Sequence, residues 1–120
     1  MAATKTAKTF QSSASNTSGS TTTGSTVSLT TSYGCFMTAK ITNGATGPTV
    51  ACDFVVEVSN DNFSSDTKEI FRATASIGNN DVNYFTFELP ASVMYARSKF
   101  TGNTGQTVTV ECSGHELTTV

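Results

Sequence analysis

The sequence predicts an all-β protein, an antiparallel two-sheet β-sandwich (jelly-roll or immunoglobulin-like) of about eight strands behind an extended N-terminal arm. Three observations point there. Thr and Val are abundant, Leu stands only at Leu29, Leu89 and Leu117, and Trp is absent; β-branched residues suit a pleated, half-buried surface and lower helix propensity. From Val27 onward, apolar and polar residues alternate with period two, and nowhere do apolar residues hold helical spacing over three turns. Clusters of Gly, Asn, Asp and Pro punctuate the alternation at short intervals.

Residues 1–25 form the arm, and residues 26–120 the sandwich. The arm contains QSSASNTSGSTTTGST, and beyond Met1 its only large apolar residue is Phe10. Ordering 25 residues costs roughly 25–50 kcal/mol of conformational entropy. One buried Phe returns about 2–3. The arm is therefore expected to be free in solution or ordered by lying across a partner.

In the sandwich, Val27 and Leu29 begin the alternation, and Met37, Ala39 and Ile41 continue it up to the turn NGATGP. Val50, Cys52, Phe54, Val56 and Val58 share the inward phase of the longest run, with Asp53 and Glu57 outward. After the turn SNDN, residues 67–76 place Ile70 or Phe71 inward, depending on register. GNND precedes a run in which Tyr84, Thr86 and Glu88 oppose Phe85, Phe87 and Leu89; Pro90 ends it, having no ladder donor. Met94, Ala96, Ser98 and Phe100 oppose Tyr95, Arg97 and Lys99. Beyond GNTG, Val108, Val110 and Cys112 carry the next strand, and residues 117–120 a last one.

Charge narrows the function classes. A formal net charge of −2 with seven Lys and Arg gives no basic footprint, so no direct nucleic-acid contact is expected. The N-terminus lacks the apolar stretch of a signal peptide, and no segment approaches membrane-spanning length, so no membrane partner is expected. The two Asn-X-Ser/Thr triplets, at Asn16 and Asn62, are then chance matches. Cys35, Cys52 and Cys112 lack metal-like spacing and read as small buried hydrophobes; Cys52 and Cys112 share an inward phase, which leaves one disulfide open.

Catalytic chemistry finds no anchor. His115 is the lone histidine, no Gly-x-Ser-x-Gly elbow occurs, and residues 44–48 lack the Lys of a phosphate loop. Asp61, Asn62 and Asp66, or Asn79, Asn80 and Asp81, could supply oxygens to calcium, but both groups equally suit turns. The reading is of a protein that is not an enzyme, with no catalytic, metal or cofactor residue and no cofactor. Partner contacts are expected at Phe10, at Tyr33, Tyr84 and Tyr95 on turn or polar-phase positions, and at Arg97 and Lys99, which share a strand face with Tyr95.

The runs MTAKITNGATGPTVACDFVVEVSND and YARSKFTGNTGQTVTVECSGHEL resemble segments of small proteins encoded among tailed-bacteriophage virion genes. Those proteins in turn resemble capsid decoration, or cement, proteins. The resemblance implies a structural protein on the outer surface of a phage head, made in the host cytoplasm. Its partners would be the major capsid protein and further copies of itself, as in a trimer. It also leaves open another virion part (tail, neck or fibre) or a module binding carbohydrate or the host surface.

Overall fold

A computed structural model describes residues 3–119. Its strands are β1 (Thr4–Asn16), β2 (Thr22–Thr23), β3 (Val27–Ser28), β4 (Cys35–Asn43), β5 (Asp53–Ser59), β6 (Lys68–Thr74), β7 (Val82–Leu89), β8 (Tyr95–Thr101) and β9 (Val108–Thr119), and the described residues contain no helix. Two antiparallel sheets result, as the alternation predicts. The first runs β1-β9-β4-β7 and the second β2-β8-β5-β6, with β3 also paired to β8. Apart from the β5–β6 hairpin and the short β2–β3 step, every connection crosses from one sheet to the other.

The core lies between the sheets. Met37, Ala39 and Ile41 of β4 and Val108, Val110 and Cys112 of β9 meet Phe54, Val56, Ala96 and Phe100 of the second sheet. Phe54 anchors an aromatic cluster, with ring centroids 5.4 Å from Phe100, 6.1 Å from Phe71 and 6.2 Å from Phe85. Register decides the alternative left open in β6: Val56 pairs with Phe71, Glu57 with Glu69, and Ile70 is the bulge residue between them.

The expected arm is instead part of the sandwich. Residues 4–16 are β1, paired with β9 from Thr4–Thr119 to Asn16–Val108, and Phe10 is fully buried. Apolar side chains alone do not offset the cost of ordering these residues; the hydrogen-bonded ladder to β9 contributes the rest. A solvent-facing edge strand needs few apolar residues, because its backbone bonds to β9 and its polar face meets water. Ion pairing and capping add to this. Lys8 Nζ lies 3.0 Å from Glu116, which is buried and also accepts from the Ser32 hydroxyl. Buried Asn16 joins Asn103 in an amide network, and Thr22 Oγ1 donates to it at 2.7 Å. At Phe10 the β1–β9 register shifts, and the Phe10 carbonyl accepts the Ser25 N–H at 3.0 Å. This seals β1 against the β2–β3 step. Gly24 sits at that seal because a Cβ there would overlap the Phe10 carbonyl and the Ser98 hydroxyl.

Other boundaries differ as well. The two strands expected over residues 108–120 are one, β9, as far as Thr119; residue 120 lies outside the described residues. Gly114 does not break it; the Phe36 carbonyl on β4 comes so close that no Cβ fits there. The run expected from Val50 begins at Asp53, and Val50 is 52% exposed, tied only by a bridge to Thr104. Gly47 crosses so close over the Ile77 carbonyl that no Cβ fits there. No disulfide forms: all three cysteines are free and buried.

Candidate functional site

The second sheet's outer face carries three of the residues expected at a partner contact, and it is satisfied from within. Glu57, expected outward, is buried on that face. Arg97 Nε donates to it at 2.8 Å, and Lys99 Nζ lies 3.5 Å away. Arg97 also stacks on the Phe63 ring, 4.0 Å from its centroid. Arg72 donates to Asp53 at 2.6 Å and to Glu69 at 2.7 Å. Arg97 and Lys99, expected at a partner contact, are therefore both turned to an internal carboxylate. Tyr95 is half-buried beside Ser59 in the same face.

The loops considered for calcium spend their oxygens locally. The Asp61 carboxylate accepts from the Ser59 and Ser65 hydroxyls and from the Ser65 and Asp66 amides, at 2.8–3.1 Å. Those bonds, the Ser65 and then the Ser59 hydroxyl foremost, hold its pKa down at about 2. Asn79 Oδ1 accepts the Gly47 N–H and Asp81 accepts the Ser76 hydroxyl. Among the described residues no group of three His, Cys, Asp or Glu side chains is placed to hold a metal ion.

Two surfaces remain. The first is the flank where β6 and β7 form the free edges of their sheets. Ile70, Ile77, Val82 and Tyr84 follow one another along this stretch, with Ile77 57% and Tyr84 64% exposed. Half-buried Phe71, Phe85 and Phe87 lie behind them, Phe71 and Phe87 with centroids 4.8 Å apart. β7 pairs with β4 over its whole length without a register shift and carries one charge, Glu88. It thus lacks the prolines, bulges and lysines that usually protect an edge. β6 has both a bulge and basic residues.

The second is a depression of about 300 Å³ on the outer face of the first sheet, at the opposite end of β7. Tyr33, Phe36, Pro90 and Leu117 line it. Lys5, Glu88 and His115 also line it, and register explains the grouping: Phe36 pairs with Glu88 on one side and His115 on the other, and Lys5 pairs with Leu117. The connection 29–34 is pinned beside it by Tyr33 N–H to the Leu117 carbonyl at 2.8 Å and Leu117 N–H to the Gly34 carbonyl at 2.9 Å.

The six residues expected to meet a partner are therefore dispersed. Phe10 is core, Tyr33 is at the depression, Tyr84 is on the flank, and Tyr95, Arg97 and Lys99 are on the charged face. The residues missed were Phe36, Ile77 and Val82. Phe36 had a readable signal: with Met37, Ala39 and Ile41 inward, period two turns Phe36 outward.

No protein-family model matches the chain, and no curated protein matches its sequence. Solved structures do share its fold. One is the SPBc2 prophage-derived protein YomS, at 16% identity over 96% of both chains with a TM-score of 0.50. Another is VP2 of the infectious bursal disease virus subviral particle, at 12% identity and TM-score 0.50 over 95% of this chain. The same virus's Gx strain gives 13% identity and a TM-score of 0.51 over 96%. This chain spans 32% of each of the two viral proteins' lengths. At these identities the likeness is one of fold.

Proposed function

We propose that the chain is a non-catalytic structural protein of a tailed-phage particle, a jelly roll that decorates the outside of the head and stabilises it. The observation that carries this reading is the flank at β7, an unprotected strand edge with exposed apolar side chains, set beside a fully neutralised charged face. Such a flank suits burial against another folded protein. The strand orders β1-β9-β4-β7 and β2-β8-β5-β6, with nearly every connection crossing between sheets, favour a jelly roll over an immunoglobulin-like sandwich. The motif resemblance to virion-gene products and the fold shared with a prophage-derived protein and a viral particle protein agree with it.

Attachment falls to the rigid body, because the segment once available as a strap is committed to β9. A capsid lattice repeats its binding surface, so modest contacts per copy suffice when many copies are bound.

The test is quantification of the chain on purified particles, wild type against Tyr84→Asp combined with Val82→Asp. Both side chains are exposed, so the variant keeps its fold. The proposal predicts on the order of hundreds of wild-type copies per head and at least about tenfold fewer of the variant. A copy number of about a dozen or fewer, as at a single ring, or equal loading of the variant, would overturn it.

A further inference from the structure

Among the described residues, the charged side chains are ion-paired or hydrogen-bonded except at one place. Six of the seven Lys and Arg residues make ion pairs: Lys8, Lys40, Lys68, Arg72, Arg97 and Lys99. Of the acids, Asp53, Glu57, Asp66, Glu69, Glu111 and Glu116 join those pairs, and Asp61 and Asp81 accept hydrogen bonds. Among the described residues, Lys5 and Glu88 alone have neither. They come from opposite edges of the first sheet, yet both line the depression, together with the chain's one histidine. Two half-exposed aromatic residues, Tyr33 at 52% and Phe36 at 49%, line it as well.

We infer that this depression is a binding site for a single neutral saccharide ring. The groups present select that chemistry. An ammonium only donates and a carboxylate only accepts, whereas a hydroxyl does both, so a ring bearing several hydroxyls satisfies Lys5, Glu88 and His115 together. A ligand with net charge of either sign would oppose one of the two unpaired charges. A zwitterion as small as alanine would match both charges but offers only a methyl group to Phe36, Tyr33 and Leu117, where a pyranose presents a face of C–H groups. A volume of about 300 Å³ suits one ring rather than an extended chain. This site does not depend on attachment to a particle, because it lies at the other end of β7 from Val82 and Tyr84 and is tested on the isolated chain.

The experiment is titration of the ¹⁵N-labelled full chain with free glucose, galactose, mannose and N-acetylglucosamine, and separately with alanine as a zwitterion, following amide shifts. The site predicts that at least one sugar moves the amides of Tyr33, Gly34, Phe36, Glu88 and His115, and that alanine moves none of them. Phe36→Ala should weaken that binding about tenfold, and Glu88→Gln should weaken it while leaving the thermal midpoint unchanged. If no sugar shifts these amides at millimolar concentrations, if the shifts fall elsewhere, or if alanine binds in place of the sugars, the assignment is overturned.

Discussion

Phe10 shows how far a single side chain can alter the reading of a segment. It is the one large apolar residue in a stretch of Ser and Thr, and it reaches the centre of the core at a point where β1 breaks register with β9. Its loss leaves a cavity that neighbouring strands cannot close, since the Phe10 carbonyl also holds the β2–β3 step. Phe10→Ala should cost about 3–5 kcal/mol in urea unfolding; a tail residue would cost nothing measurable. The cysteines behave as the sequence reading of small buried hydrophobes implies. Burial pushes Cys35 up to about 11 and Cys52 and Cys112 up to about 12. Near neutral pH the thiolate, which is the reactive form, is then scarce as well as shielded. Alkylation with iodoacetamide should leave the folded chain unmodified and label all three cysteines once it is unfolded; rapid labelling of the native protein would contradict this burial.

Elements with strict alternation were legible in the sequence. The inward sets Met37, Ala39 and Ile41, then Phe85, Phe87 and Leu89, then Ala96, Ser98 and Phe100 follow from period two alone, because one face of each strand meets the core. Strand edges and bulges were not, since they depend on what lies across the ladder. Val55 faces outward yet is buried, flanked in register by Arg72 and Lys99, whose long stems cover apolar surface. Glu57 is drawn in by two cations from β8. Of the surfaces, Tyr33 and Tyr84 were visible as outward aromatics, while the depression was not, because Lys5 and Glu88 come to line one hollow only when four strands are in order.

The β5–β6 connection adds a pH signature. Its two left-handed residues, Asn62 and Phe63, have φ of 58° and 61°, unusual for Phe. The Ser59 hydroxyl oxygen accepts the Phe63 N–H at 2.9 Å, and the same Ser59 hydroxyl donates to Asp61. The Asp61 pKa falls from its ordinary 3.8 to about 2 on folding, so its contribution is fully present above 3.8 and is lost as pH drops through about 2. Amide exchange at Ser65 and Asp66 should accelerate over that window relative to β4, and Asp61→Asn should remove the pH dependence. A flat profile would contradict the assigned bonds.

At the scale of the molecule, the sandwich is closed on one flank and open on the other. On the closed side, β1 is tied to β9 and sealed to the second sheet at Gly24 and Ser25. On the open side, β6 and β7 leave an aromatic seam half covered. With its first strand built into its own core, the chain has no loose arm to offer, and the attachment proposed above falls to the open flank. The direct measurement is native-state hydrogen exchange on the isolated monomer. The account predicts that the β1 amides bonded to β9, and the Ser25 amide bonded to Phe10, exchange as slowly as those of β4. Exchange of residues 4–16 at free-chain rates, beside protected β4 and β9, would restore the arm and contradict it.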